Sequence, residues 1–347
     1  MSTKYIGVGA DANKAVGYNY QLSDVDSYIF DAVNANINCR YPMSKNLLIN
    51  AREFGLEYQN TLLQDALALD DEFDNMFIVS AFEPWCLNPN QTTDFIKNMH
   101  IPNVFWIGNF DDTDPSLQFH FSWGIYSALA WGNNYKIEDL ILKDIRYKFM
   151  NYNRDPKHYR IELVDLIEKH KLDKCGIVTL GGRHIVRENV SEVTNCYQHK
   201  SAEFTADEIP NDNSSLGTMQ YWNHHFLNVV SETRFYWWDD VFISEKSAKP
   251  IIGMRPFIIN GNWKTYSWLR NNGFKTFEKY FPFAKFENLH EDDVHPNIIK
   301  VLEWVCNQPI NVLQSLYNEM LPDLLHNRAR LFEFAEEEHQ RVKNILL

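Results

Sequence analysis

Residues 224–277 read HHFLNVVSETRFYWWDDVFISEKSAKPIIGMRPFIINGNWKTYSWLRNNGFKTF. HFLNVVS is an apolar run of strand length that stops at Ser231-Glu232-Thr233. A helix then opens at Phe242-Ile243-Ser244-Glu245-Lys246. Ser244 is of the type that caps a helix by accepting a bond from a free backbone N–H, and Glu245 suits the positive end of the helix dipole. Pro250-Ile251-Ile252-Gly253 closes that helix, PFIIN forms a second buried strand, and Gly261 supplies the turn after it. A strand-loop-helix-strand unit of this kind belongs to a parallel sheet, which binds phosphate groups at the carboxyl ends of its strands. Lys246, Lys249 and the helix N-terminus together supply counter-charge for an anion there. The same SEK triplet would also serve an ordinary helix start with solvated charges.

Working outward, apolar runs predict strands at 4–9, 77–82, 104–110, 146–152, 175–180, 225–231 and 256–260. Helical spacing predicts helices near 58–70, 157–170, 245–252, 265–272 and 296–307, and over most of 310–345. Strands alternating with helices make the chain α/β. The polar stretch 132–145 before a fresh strand marks the seam between two halves, and 200–222 reads as a long loop. In the tail, Leu313, Leu316, Tyr317, Met320, Leu324, Leu331, Phe334 and Ala335 recur at helical spacing, with a break expected at Pro322. That pattern predicts a packed terminal helix pair.

The 347 residues suit about two domains. With 45% hydrophobic and 23% charged residues, the chain has a folded protein's composition. Aromatics at 14% fill a core or form platforms for sugars and bases. The net charge of -13 argues against a general nucleic-acid binder. The charge is uneven, however. Residues 136–187 hold 12 Lys and Arg against 8 Asp and Glu, a basic island that suits a nucleotide diphosphate or a solvated helix face. Five cysteines without CxxC spacing point to reduced thiols. No window has the apolar length of a membrane span, and the first residues lack signal-peptide character, so a cytoplasmic protein is expected.

The 224–277 stretch resembles the donor-binding signature of glycosyltransferases related to the α-1,3-fucosyltransferases. The matching residues are Ser231-Glu232-Thr233, Phe242-Ile243-Ser244-Glu245-Lys246 and Pro256-Phe257-Ile258-Ile259-Asn260-Gly261. The family usually carries Phe-Glu-Asn where this chain has Ser-Glu-Thr. The run Gly273-Phe274-Lys275-Thr276-Phe277 is similar to phage and large-virus proteins of this type. Upstream, FMNYNRDPKHYRIELVDLIEKHKLDKCGIVTLGGR at 149–183 resembles the strand, basic turn, helix and strand that begin the family's second domain. The resemblance covers about 146–277 and is thin before it. It implies two Rossmann-like domains in the GT-B arrangement with a C-terminal helical tail: 1–140 for the acceptor, 141–295 for the donor, and helices at 296–347 packing back.

The resemblance also implies roles. Arg154 and Arg160 would clamp the diphosphate, as arginine forks do, although Arg160 is also placed to pair with Glu162 or Asp165. Phe242, Ser244, Glu245 and Lys246 would bind the donor, with Glu245 on the ribose and Lys246 on the departing diphosphate. Glu232 would contact the donor sugar or position Lys246. Glu83, after a predicted strand and beside Trp85, is the match for a catalytic base; otherwise it caps a turn. Asp112 and Asp114 form a DxD that suits either a divalent ion or a turn, while the SEK signature implies a metal-independent scheme. The paired His224-His225 and Gly7-Val8-Gly9 lack a third ligand and a full fingerprint.

The implied activity is transfer of a sugar from a nucleotide diphosphate donor, a co-substrate with no further cofactor, to a hydroxyl on a glycan, a protein or modified DNA. Inversion is what the family suggests. Phage transferases acting on hydroxymethylated pyrimidines are one alternative. A non-catalytic carbohydrate-binding or virion protein on the same fold is another.

Overall fold

The computed structural model describes residues 4–7, 46–50, 74–80, 103–108, 118–120, 132–153, 156–180, 216–217, 219–233, 235, 241, 243–282 and 284–346. The chain divides into two compact units, residues 1–126 with 335–347, and residues 127–334.

The first unit holds a parallel sheet of β1 (Lys4–Gly7), β2 (Asn46–Asn50), β3 (Asn75–Ser80), β4 (Asn103–Gly108) and β5 (Gln118–His120). The strands lie in sequence order, each paired in parallel with the next. Neither β2 nor β5 was expected. NLLIN shows neither alternation nor β-branched enrichment beyond one Ile, and QFH is too short to carry a period. The expected helix near 58–70 lies outside the described residues.

The second unit carries a four-stranded parallel sheet: β6 (Tyr147–Asn153), β7 (Gly176–Leu180), β8 (His225–Ser231) and β9 (Phe257–Asn260). Its order is β7-β6-β8-β9. The chain therefore builds outward from β6 on one side, then reverses and builds from β6 on the other. Helices connect or flank these strands: α1 (Ile137–Leu140), α2 (His158–Lys169), α3 (Met219–Trp222), α4 (Glu245–Ile252) and α5 (Lys264–Asn271). Then follow α6 (Glu291–Asn307) and α7 (Ile310–Leu346). β8 and β9 are buried on both faces, which is why they read as nearly continuous apolar runs. Phe149, Phe226, Phe257, Phe274, Phe277, Tyr266 and Trp222 fill this core, so these aromatics of the described residues serve packing.

The expected break at Pro322 is corrected: α7 runs through it. Pro322 and Asn318, whose carbonyl loses its partner to the proline, lie on the exposed face, where an unpaired carbonyl costs little because it is open to solvent. Leu313, Tyr317, Met320, Leu324 and Leu331 form the buried stripe opposite.

The end of α4 is tied down by two buried arginines. Arg255 is fully buried and donates to the carbonyls of Trp222 (2.7 Å), Leu140 (2.7 Å) and Met254 (2.9 Å). Arg328 of α7 donates to the Ile252 carbonyl at 2.5 Å and the Tyr135 carbonyl at 2.6 Å. Tyr317 Oη donates to Met254 O at 3.2 Å and accepts from Leu142 N–H at 3.2 Å. Gly253 does not take the left-handed turn here. Met254 does, at φ 53°, and Gly253 is required because the Trp222 indole crosses it. A methyl group at Gly253 would come within 1.9 Å of Trp222 Nε1, the atom that donates to Gly253 O.

Candidate functional site

In an open parallel sheet, the reversal of strand order leaves a crevice at the carboxyl ends of the two strands that flank it. Here those strands are β6 and β8, which end at Asn153 and at Ser231-Glu232-Thr233. α2 begins immediately after β6, and α4 begins after the loop that follows β8. Both helix N-termini therefore converge on the reversal.

Local chemistry fixes α4. Ser244 caps it, its side chain accepting from Lys246 N–H at 3.2 Å. Glu232 is 1% exposed and both its oxygens are engaged. Oε2 accepts from Ser244 Oγ at 2.5 Å and Thr233 N–H at 3.1 Å; Oε1 accepts from Ser247 Oγ at 2.5 Å and Ser244 N–H at 3.2 Å. These bonds tie the start of α4 to the end of β8. Replacing Glu232 with Leu leaves those buried donors without an acceptor. A stability loss on the order of 3 kcal/mol is expected by urea denaturation. A change under about 1 kcal/mol would deny Glu232 this bracing role.

Lys246 Nζ lies 2.6 Å from Glu245 Oε1 and 3.0 Å from Thr233 Oγ1, with its side chain 31% exposed. Burial pushes the Glu245 carboxyl up, but Lys246 and Lys249 outweigh it and hold the group below its ordinary range. Glu245 therefore stays ionised beside a partly exposed ammonium.

α2 grips the other side. Arg160, 2% exposed, donates Nη2 to the carbonyls of Glu232 at 3.0 Å and Ser231 at 3.2 Å. Lys157 Nζ donates to Thr233 O at 2.9 Å, and Tyr159 Oη donates to Glu232 O. Glu162 pairs with His158 at 2.9 Å. Arg160 therefore holds the end of β8.

Among the described residues the site brings together Arg160, Glu232, Ser244, Glu245 and Lys246. Arg154, Phe242, Glu83, Asp112 and Asp114 lie outside the described residues. Among the described residues, no group of three or more His, Cys, Asp or Glu is arranged to hold a metal, Cys175 and Cys306 are free thiols, and no helix is long and apolar enough to cross a membrane.

Sequence reasoning missed Lys157, Tyr159 and a layer of buried amides. Asn151 Nδ2 donates to Ser231 Oγ at 3.2 Å, and Asn153 Nδ2 donates to Asn151 Oδ1 at 2.6 Å. Asn153 Oδ1 and both polar atoms of Asn260 are buried without a hydrogen-bond partner. A signal was present: asparagine is disfavoured in strands, yet Asn151, Asn153 and Asn260 all lie in the second halves of strands.

Phe235 stacks on Tyr159 at 5.0 Å and on His295 of α6 at 5.1 Å, pinning the loop after β8. Burial first, and then His158, push the His295 imidazole down to about 4; Glu162 Oε2 faces it at 4.0 Å. The unfolded chain titrates this group near 6.5. Between these values only the unfolded chain takes the proton, so stability is full above about pH 6.5 and falls as pH drops toward 4. The expected loss is about 2 kcal/mol by pH 4.5, with buried His225 adding in the same direction. His295→Phe is expected to flatten the slope measured by urea denaturation at several pH values. An unchanged slope would rule His295 out as its source.

No protein-family model, curated protein or solved structure matches this chain.

Proposed function

We propose that the protein is a glycosyltransferase that moves a sugar from a nucleotide diphosphate donor to a hydroxyl acceptor, with the diphosphate at the reversal between β6 and β8. The observation that carries this reading is Lys246, held by Glu245 and Thr233 at the start of α4 and backed by the Glu232 brace. A partly exposed ammonium at a helix N-terminus, on the carboxyl edge of a switch point, suits a diphosphate. In this reading both units are Rossmann-like, in the GT-B arrangement with α6 and α7 as the helical tail.

The reaction is a direct displacement. The acceptor oxygen bonds to the anomeric carbon as the bond from that carbon to the diphosphate oxygen breaks, and the electron pair leaves with the nucleotide. Glu83 takes the acceptor's proton. Lys246, with Arg154, meets the charge that develops on the leaving group. Glu245 takes the ribose hydroxyls, and Phe242 and Ser244 complete the donor site. Arg160 and Glu232 position the strand end and α4. The scheme uses no metal, and the protein acts in the cytoplasm, of the host if it is viral. Its acceptor is a glycan, a protein or modified DNA.

Incubation with a panel of nucleotide sugars, followed by measurement of released nucleotide, tests this without knowledge of the acceptor. Release from one donor is expected. No release from any donor, with no thermal shift from any nucleoside diphosphate, would overturn the reading in favour of a non-catalytic binding protein.

A further inference from the structure

α6 has two faces. Val294, Ile298, Val301, Leu302 and Val305 are buried in the second unit. Asp293, Asn297, Lys300, Glu303 and Trp304 recur at helical spacing on a different face, which lines a cleft of about 620 Å³ together with Lys285 and Leu289 of the preceding segment. That volume is of ligand-site size.

The lining has a definite chemistry. Trp304 is half-buried and held edge-to-face with Phe281 at 6.2 Å. Asn297 is 7% exposed; its Oδ1 accepts from Lys285 N–H at 3.2 Å, while its Nδ2 is buried without a hydrogen-bond partner. Two lysines, Lys285 and Lys300, and two carboxylates, Asp293 and Glu303, line it beside Leu289 and Pro296, and Glu303 is itself paired with His170 at 2.8 Å. The ionised groups balance, so the cleft favours neither a polyanion nor a polycation. A neutral molecule whose hydroxyls both donate and accept would satisfy lysine and carboxylate alike, and its C–H face would lie on the indole.

We propose that this cleft is a binding subsite for a neutral saccharide. None of its lining residues belongs to the strand-end site, so the inference does not depend on the transferase reading.

The test is saturation-transfer NMR on the full chain, without nucleotide, using maltotriose, cellotriose and chitotriose as neutral probes. Glucose 6-phosphate and spermidine serve as charged controls. Transfer from at least one trisaccharide is expected, with a Kd on the order of 1 mM or tighter. Trp304→Ala should weaken it about tenfold, by loss of the stacking face, while leaving nucleotide release unchanged. If Trp304→Ala fails to fold, the exposed pair Lys285→Ala and Lys300→Ala carries the test, and a loss of at least about threefold is expected. Transfer from no trisaccharide, binding of the charged controls alone, or saccharide binding unaffected by these substitutions would each overturn the proposal.

Discussion

Replacing Lys246 with alanine is expected to lower turnover of the matching nucleotide sugar by about 10²–10³-fold, with a smaller change in KM. The split follows from timing. Negative charge on the leaving diphosphate grows only as the bond to the sugar breaks, so a fixed ammonium is worth more in the transition state than in the bound donor. Lys246 is suited to this because Glu245 and Thr233 hold its Nζ at 2.6 and 3.0 Å, while nearly a third of its side chain stays accessible. The fold should survive, since Lys249 still faces the Glu245 carboxylate and the Glu232 brace does not involve the lysine side chain. Steady-state kinetics of released nucleotide, beside a thermal melt, check both halves. Wild-type turnover in a folded Lys246→Ala protein would remove Lys246 from the chemistry.

The largest effect on stability is expected at Arg255. Its guanidinium is fully buried, and burial pulls it down to about 10, so it remains charged at neutral pH with main-chain carbonyls and the Tyr317 hydroxyl as its partners. Those carbonyls belong to α1, α3 and the turn after α4, three pieces of chain far apart in sequence. Alanine here leaves a large cavity and strips the Leu140 and Trp222 carbonyls of their donor. A loss of about 4 kcal/mol or more is expected, or roughly 10 °C in Tm. Arg255→Lys should recover little, because one ammonium cannot span the fork from Trp222 O to Leu140 O. A melt within about 2 °C of wild type for Arg255→Ala would show that the carbonyls find other donors.

Much of the second unit was legible. HFLNVVS and PFIIN are buried on both faces, so their apolar runs announced β8 and β9, and the Ser244 cap and the Pro250-Ile251-Ile252-Gly253 run marked the ends of α4. The helix at 157–170 and the tail helices followed from spacing. What stayed hidden was long-range. The bonds from Arg160 to the carbonyls of Ser231 and Glu232 had no local signal, because those atoms lie about seventy residues away. Pro322 looks like a stop, because exposure of the carbonyl it orphans is set by packing, not by local sequence. The strand order that creates the crevice is likewise a property of pairing, not of any one segment.

The grip of α2 on β8 has a consequence for how the site can change. Lys157, Tyr159 and Arg160 hold oxygens of the main chain at 231–233, and every amino acid possesses those atoms. The clamp is therefore indifferent to the side chains at positions 231 and 233, while the carboxylate of Glu232, with its separate bonds to Ser244 and Ser247, is not. The two flanking side chains answer to other contacts: Ser231 Oγ accepts from Asn151 and Thr233 Oγ1 from Lys246, so a change there is felt at the asparagine layer and at the ammonium rather than at the clamp.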